Sequence, residues 1–328
     1  MSSWFQRRLL PGLAFKAVVI GGGYATGREL AEFFLPSGPW GGIRAMALAM
    51  AIWSAICVVT FLFARASNTR DYQSFMRALL GPAWMAFEAA YVLFVVLVLA
   101  VFGAAAGAIG AAALGLPTLA GTLALMCAIG LVTAYGNASV ERLFAWVSFL
   151  LYGVYVLFVL FSLTHFGARI VAGFAQPADA AGWVRGGAEY ASYNVIGAVV
   201  ILPVLRHLTS NRDAVVAGLI AGPLAMLPAL MFFTCMMAYY PGIANATLPS
   251  DYLLQRLDLP AFRYLFQLMI FAALLESGTG FVHAINERVG HAFRRRRGRE
   301  LPRLARATVA LATLVFCMLV AEHFGLVT

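Results

Sequence analysis

The sequence predicts an all-α polytopic membrane protein whose two halves are inverted repeats. Of its 328 residues, 62% are hydrophobic and only 11% are charged, a composition far from that of soluble domains. Apolar runs of about 20 residues, the length that crosses a bilayer as a helix, recur along the chain. The hydropathy pattern of the second half also resembles that of the first.

We expect nine membrane spans joined by short loops that leave no room for a soluble domain. These spans cover residues 11–35, 41–64, 82–114, 117–135, 139–166, 187–206, 212–240, 260–291 and 305–325. Residues 1–168 (spans 1 to 5) form the first repeat, and residues 169–328 (spans 6 to 9) form the second, within a single membrane domain.

The distribution of basic residues predicts the orientation, because positive charge is retained on the cytoplasmic side. With the N-terminus inside, 17 of the 23 Lys and Arg residues fall on the cytoplasmic side and 6 on the other. We therefore predict a multi-pass protein of the plasma (inner) membrane with a cytoplasmic N-terminus. The apolar run after the basic start is interrupted by Lys16, which disfavours a cleaved signal peptide.

The net charge of +9 and the run "RRRRGR" at 294–299 raise the possibility of nucleic-acid binding. A cytoplasmic loop beside anionic lipid explains them better, so no nucleic-acid partner is predicted. The four cysteines lie in apolar spans without paired spacing, and we interpret them as small buried hydrophobic residues. They are Cys57, Cys127, Cys235 and Cys317.

Two similar segments mark the register of the repeat. "DYQSFMRALLGPAW" begins at Asp71 and "DYLLQRLDLPAF" at Asp251, and each leads into a long apolar run. Span 1 starts inside and span 6 outside, so the halves are inverted. Inverted repeats with interrupted helices are typical of secondary transporters that work by alternating access.

The segment "VVIGGGYATGRE" (18–29) predicts a break in the first helix, because each of the glycines Gly21 to Gly23 weakens a helix by about 1 kcal/mol relative to Ala. Thr26 and Glu29 match a capping box for the restarted helix, which makes Glu29 a cap rather than a proton site. The free N–H groups at that restart would hold a substrate carboxylate against residues 24–27. A dinucleotide fingerprint is disfavoured, since the third glycine position is Thr26 and no strand context exists.

The sixth span carries a polar cluster near the middle of the bilayer, formed by Tyr190, Ser192, Tyr193 and Asn194 and followed by Gly197. This pattern predicts a second interruption where hydroxyls, the amide and free carbonyls recognise substrate. The alternative is interhelical hydrogen bonding that serves packing alone.

Glu276 is the candidate for ion coupling. It follows Asp258 by 18 residues and precedes Arg288 by 12, which places it about 18 Å from that basic end of a straight helix. A carboxylate at this depth is costly unless paired, hydrated or protonated, and it is a functional candidate by default. The alternative is a structural pair with a neighbouring helix.

The hydroxyls of Ser277 and Thr279 are candidate Na⁺ ligands. Residues two apart point to nearly opposite sides of a regular helix, so both would bind one ion only if the adjacent glycines distort it. The coupling ion is predicted to be a proton or Na⁺, and no other cofactor and no structural metal is expected.

Other polar residues are predicted to be accessory. Glu88 suits an interfacial or gate role, and Lys16 is expected to snorkel to the cytoplasmic interface. His283 and His291 are too far apart for a metal site. No Ser-His-Asp or HExxH pattern stands out, so the chain is not predicted to be an enzyme.

At "GGGYATGRELAEFF" and "LLESGTGFVHAINER" the chain resembles the YkvI-type membrane proteins over essentially its whole length. That family is grouped with amino acid permeases of the amino acid, polyamine and organocation superfamily. The resemblance implies the leucine-transporter-like fold of five plus five helices, with substrate between the interrupted helices 1 and 6. The residues it assigns to the substrate are Gly21, Gly23, Tyr24, Ala25, Thr26, Tyr193, Asn194 and Gly197.

Two departures from the family pattern stand out. Gly278 separates Ser277 from Thr279, where sodium-coupled relatives place two adjacent hydroxyl residues. The chain also ends at Thr328, just after the ninth span, although five plus five requires a tenth. The sequence is therefore either a truncated form or a shorter architecture.

Together these observations predict a secondary active transporter of a small amino-acid-like or carboxylate substrate. The predicted partners are that substrate and the lipid bilayer, with no prediction of oligomeric state. One alternative is a transporter of nucleobases or another small solute on the same fold. The other is a non-transporting receptor or scaffold that acts through the basic loop 288–306.

Overall fold

The computed structural model describes residues 3–178, 180–246 and 248–323, and in these ranges the chain is helical with no strand. The α-helices are α1 (Leu10–Val19), α2 (Gly22–Ala25), α3 (Arg28–Phe33), α4 (Gly38–Ala66), α5 (Tyr72–Leu80), α6 (Trp84–Leu114), α7 (Thr118–Ala134), α8 (Asn137–Phe174), α9 (Trp183–Asn194), α10 (Gly197–Val200), α11 (Asn211–Met236), α12 (Pro249–Leu257), α13 (Pro260–Arg297) and α14 (Arg303–His323). Short 3₁₀ segments and one π-helical turn, Phe5–Leu9, connect or extend them.

Each predicted span is mostly helical as far as the structure describes it, and residues 324 and 325 of the ninth span lie outside the described residues. Helices α5 and α12 lie between spans as short helices. Among the described residues, five helical stretches are long and apolar enough to cross a membrane: Arg28–Ala66, Tyr72–Ala111, Asn137–Phe174, Asn211–Tyr239 and Pro260–Arg297. Thr118–Ala134 is a shorter apolar helix. These helices make the chain a multi-pass membrane protein, while nine crossings and the inverted repeat remain predictions.

The first predicted span is interrupted twice. Helix α1 ends at Val19, and Gly21 is extended with φ −93° and ψ −166°. A second turn follows α2 at Gly27, whose φ of +79° is in the left-handed region and whose Cα packs against the ring of Phe232. Only glycine fits there, because a side chain would be both strained and in collision with that ring.

The predicted capping box at Thr26 is wrong. Gly27, not Thr26, precedes α3, and no side chain caps this helix. Thr26 is the last residue of the α2 turn, so its hydroxyl donates backwards to the carbonyls of Gly22 (2.8 Å) and Gly23 (3.2 Å). This backward bond is the usual alternative for Thr within helical backbone, and it leaves the Glu29 carboxylate uncommitted to capping.

The sixth predicted span is interrupted where the polar cluster ends. Helix α9 ends at Asn194 and α10 begins at Gly197, with a 3₁₀ segment from Leu202 to His207 after it. A Cβ at Gly197 would lie 3.2 Å from the Phe15 ring. The glycine therefore permits close packing of this interruption against α1.

Helix α11 packs against α1 and α4 and carries two internal prolines, Pro223 and Pro228. The Tyr24 hydroxyl enters its hydrogen-bond ladder, donating to the Ala225 carbonyl (2.7 Å) and accepting from the Ala229 N–H (2.6 Å). In a regular helix the Ala229 N–H would donate to the Ala225 carbonyl, so the Tyr24 hydroxyl bridges two groups of the ladder beside Pro228.

The two Asp-Tyr segments form short helices of similar length. Asp71 caps α5 by accepting from the Ser74 N–H (2.9 Å). Helix α12 is tied to the first interrupted helix, since the Ser250 N–H donates to the Thr26 carbonyl (2.9 Å).

The cysteines are free thiols, and Cys57, Cys235 and Cys317 are buried as predicted. Cys127 is exposed, contrary to the prediction. Its position in α7 faces away from the helix bundle, where an apolar surface in a membrane protein meets lipid.

Candidate functional site

A cavity of about 360 Å³ lies where the two interrupted helices meet α6 and α13. Its lining residues are Val18, Val19, Gly21, Gly23, Glu29, Phe94, Leu97, Val98, Val101, Phe102, Tyr193, Asn194, Ile196 and Phe281. Four of the predicted substrate residues, Gly21, Gly23, Tyr193 and Asn194, are among them. The volume is in the range of small-molecule sites.

The other four predicted substrate residues lie behind this wall. Tyr24 directs its hydroxyl to α11, and the Thr26 hydroxyl is held by carbonyls of α2. Ala25 is fully buried, and its carbonyl is 3.5 Å from the Tyr155 hydroxyl. Gly197 packs against Phe15. Their positions support the shape of the two interruptions.

Glu29 is a wall residue that sequence reasoning did not assign to the site. A Cβ placed on Gly23 would lie 2.8 Å from Glu29 Cγ and 2.9 Å from its Cδ, so the side chain folds back over that glycine. Its Oε2 atom is buried without a hydrogen-bond partner. The hydroxyls of Tyr190 and Tyr193 face the same carboxylate. The sequence feature that could have indicated this contact is Gly27, whose turn lies between Gly23 and Glu29.

Lys16 and Glu276 form a buried ion pair, with Nζ 2.8 Å from Oε2 and neither side chain exposed. The prediction that Lys16 snorkels to the interface is therefore wrong. Helix α1 is packed against α8, α11 and α13, which leaves its ammonium no route to water, and the carboxylate of α13 compensates its charge. The second Glu276 oxygen, Oε1, is buried without a hydrogen-bond partner.

Ser277 contacts the broken end of α1. Its Oγ is 2.6 Å from the Ala17 carbonyl oxygen and 2.7 Å from that of Ile20. In a continuous helix the Gly21 N–H would donate to the Ala17 carbonyl, but here it donates to the Val19 carbonyl. The break therefore leaves the Ala17 carbonyl without its usual backbone donor. Three oxygens thus converge, although one hydroxyl hydrogen serves only one carbonyl at a time.

Thr279 does not share this position. Helix α13 is continuous from Pro260 to Arg297, so residues two apart face different sides. The Thr279 hydroxyl is buried and has no hydrogen-bond partner. The glycine distortion that would bring both hydroxyls to one ion is thus not seen in this helix.

Five polar pairs outside the cavity join separate segments of the chain. They are Arg8–Asp213 (3.1 Å), Arg206–Glu141 (3.1 Å), His291–Asp71 (2.7 Å), Glu88–Arg288 and Arg306–Glu287. The predicted gate role of Glu88 remains a prediction. His283 contacts Asn137 (2.9 Å) and His291 contacts Asp71, so the two histidines have separate partners.

Comparison with known proteins gives one curated relative. No protein-family model matches the chain. The uncharacterized membrane protein YkvI of Bacillus subtilis (strain 168) is 25% identical over 299 residues, which are 84% of this chain and 80% of that protein. This similarity confirms the resemblance inferred from the two motifs.

Two solved structures share the fold. MhsT in complex with L-phenylalanine superimposes with a TM-score of 0.73 at 17% identity, covering 96% of this chain and 78% of MhsT. A Na⁺-coupled sialic acid symporter in a substrate-bound outward-open state gives a TM-score of 0.68 at 12% identity, covering 95% and 71%. The chain thus has the predicted leucine-transporter-like fold, which it shares with both structures.

Proposed function

We propose that this chain is a secondary active transporter that moves a small amino-acid-like solute by alternating access. The substrate occupies the cavity between the two interrupted helices, and the repeats 1–168 and 169–328 move relative to each other around it. Interrupted helices at the middle of a membrane bundle support this proposal, because they supply polar backbone where irregular chain is otherwise excluded.

The observation that carries the proposal is the contact between the broken end of α1 and α13. Two successive residues of α13 make this contact. Glu276 forms the buried ion pair with Lys16, and Ser277 meets the carbonyls of Ala17 and Ile20. Ionisable groups inside a membrane are expensive and mark ion or proton pathways. Because the Lys16–Glu276 pair lies at the break after α1, ion or proton binding at this pair would act on the interrupted helix.

Glu276 is the proposed coupling group, with Lys16 as its counter-charge. Protonating Glu276 removes the negative partner and leaves a buried ammonium uncompensated, a strongly unfavourable state. The arrangement of α1 against α13 then depends on occupancy by the coupling ion, which is the requirement for an ion to shift a conformational equilibrium. Alternatively, a Na⁺ ion bound by the oxygens of Ala17, Ile20 and Ser277 would couple ion binding to the same arrangement of α1 against α13.

Reconstituted vesicles test this function. The purified chain is placed in liposomes and offered radiolabelled amino acids, amines and carboxylates under an imposed proton or sodium gradient. We expect accumulation of at least one class above protein-free liposomes. Glu276→Gln should abolish stimulation by the gradient while substrate binding persists. Glu189→Gln, at a solvent-exposed pair with Arg185, is the matched control and should transport normally.

The absence of accumulation of every compound under both gradients would overturn the proposal. It would favour the receptor or scaffold alternative, which predicts a cytoplasmic partner that is lost when the arginines of loop 288–306 are neutralised. Persistence of gradient stimulation in Glu276→Gln would instead show that the Lys16–Glu276 pair is structural.

A further inference from the structure

We infer that the cavity selects its substrate by an ammonium group that pairs with Glu29, so that the preferred solute is an amine with an apolar body and no free carboxylate. This inference rests on the proposed transport function and replaces its amino-acid-like substrate with an amine. It departs from the expectation that the first helix break holds a substrate carboxylate.

The first step is the position of the Glu29 side chain. It lines the cavity and lies against the Cα of Gly23, at the break where a substrate carboxylate was expected. One of its oxygens, Oε2, is buried without a hydrogen-bond partner. The hydroxyls of Tyr190 and Tyr193 face the same carboxylate, but a buried acceptor without a donor is costly. A ligand ammonium supplies a donor to Oε2 together with the opposite charge.

The second step is the charge of the lining. Glu29 is the only ionisable acid among the lining residues, and no Lys, Arg or His is among them. Lys16 is committed to Glu276, and Arg28 is exposed. A ligand carboxylate would therefore meet a like charge without a nearby cation, whereas an ammonium meets a complementary one.

The third step is the apolar part of the cavity. Phe94, Phe102 and Phe281 line it, and the rings of Phe94 and Phe281 are 5.6 Å apart in edge-to-face geometry. Such a surface accommodates an aromatic or branched aliphatic body. Tyr193, stacked on Phe33 at 6.1 Å, presents its ring and hydroxyl beside the acid. The site thus has one charged end and one apolar end.

Binding to the purified 328-residue chain in detergent tests this selectivity with trios of ligands that share one apolar body. One trio is phenethylamine, L-phenylalanine and 3-phenylpropionate; the others are tryptamine, L-tryptophan and indole-3-propionate, and isoamylamine, L-leucine and 4-methylpentanoate. Isothermal titration measures each dissociation constant. In at least one trio we expect the amine to bind about tenfold or more tightly than the amino acid, and the carboxylate not to bind.

Variants test whether Glu29 is the determinant. Glu29→Gln should weaken amine binding about tenfold or more, because it removes the charge at nearly constant size. Glu29→Asp keeps the charge and should preserve the order of preference at reduced affinity. Glu32→Gln removes an exposed acid on the same short helix and should leave the dissociation constant within about twofold. Melting temperatures without ligand establish that each variant is folded.

Several outcomes would overturn the inference. They are an amino acid or carboxylate binding more tightly than its matched amine, no binding of any amine, or an amine affinity unchanged in Glu29→Gln. These results are separable from transport. If amines bind in a Glu29-dependent way but no solute accumulates in vesicles, the transporter proposal alone is overturned. If amino acids accumulate but no amine binds, only this inference is overturned.

Discussion

The ammonium of Lys16 lies 2.8 Å from a carboxylate oxygen of Glu276, although 260 positions separate the two residues in the sequence. Both side chains are fully buried. The contact joins the segment just before the first helix break to the middle of α13. It ties the stability of the bundle and the arrangement of the break to one pair of charges.

A double-mutant cycle measures how strongly this pair holds the two helices. Lys16→Met or Glu276→Gln alone should destabilise the protein by about 3–5 kcal/mol, because each leaves an uncompensated buried charge or removes its partner. The double variant should recover part of that loss. Thermal unfolding in detergent gives the four melting temperatures. Additive losses in the double variant would show that the charges do not interact energetically.

Replacing Ser277 tests the oxygen cluster as a cation site. Ser277→Ala removes one of three converging oxygens and should abolish stimulation of vesicle uptake by sodium, since Na⁺ binds through hard oxygen ligands. Ser54→Ala is the control, because Ser54 also donates to a backbone carbonyl, that of Leu219 (3.0 Å), at an exposed position. Sodium stimulation unchanged in Ser277→Ala would leave proton exchange at Glu276 as the proposed coupling.

Tyr24→Phe tests the link between the first interrupted helix and α11. The change leaves the Ala225 carbonyl and the Ala229 N–H without their shared partner and should cost about 1–3 kcal/mol. The melting temperature should fall accordingly. Tyr135→Phe, whose ring is exposed, controls for loss of a phenol and should be neutral. Equal melting temperatures for Tyr24→Phe and the unchanged protein would mean that α11 closes its own ladder.

Gly23→Ala should displace the Glu29 side chain, since the new methyl group would occupy the space of that carboxyl group. We expect amine affinity to fall about tenfold or more with folding retained. Gly153→Ala, where a Cβ meets nothing within 4 Å, is the matched helical control. An amine dissociation constant that stays the same in Gly23→Ala would argue against recognition by Glu29.

The Asp71 carboxyl gives a prediction for acid pH. Burial opposes its ionisation, but hydrogen bonds from His291 and Ser74 outweigh burial and lower its pKa. A lowered pKa stabilises the fold above the ordinary value, and that stabilisation is lost as pH falls through the lowered value. The melting temperature of the unchanged protein should therefore drop toward pH 3.

Asp71→Asn should reduce the fall in melting temperature between pH 7 and pH 3. It should also lower the free energy of unfolding at pH 7 by about 1.5 kcal/mol, the scale of a hydrogen bond to a charged group. Asp258→Asn is the control, since Asp258 has left-handed backbone, which Asn also tolerates. An identical fall in melting temperature in Asp71→Asn and the unchanged protein would mean that other carboxyl groups set it.

The positions of the helices were predictable because apolar runs and glycines act locally. The weakness of a helix at Gly21 to Gly23 required no knowledge of neighbours, and the break occurs at its edge. The capping box failed for a local reason as well. Gly27 adopts a left-handed turn, so Thr26 closes the helix before it rather than opening the helix after it.

The contacts on which the proposals rest were less accessible because they depend on the register between distant helices. Neither Lys16 nor Glu276 carries any sequence mark of the other. The contact between the Glu29 side chain and Gly23 depends on two successive turns, at Gly21 and Gly27. In the sequence each of these glycines looks like an ordinary helix breaker. Tyr24 and Gly197 lie beside the cavity but not in its lining, because the direction of a side chain follows from packing and not from spacing.

The hydrogen bond from the Ser250 N–H to the Thr26 carbonyl has a practical consequence. It fastens α12 to the peptide unit that precedes Gly27, two residues before Glu29. We therefore expect α12 to move when that turn is reshaped. A fluorophore on the exposed side chain position of Gln255 would therefore report from outside on events in the cavity wall.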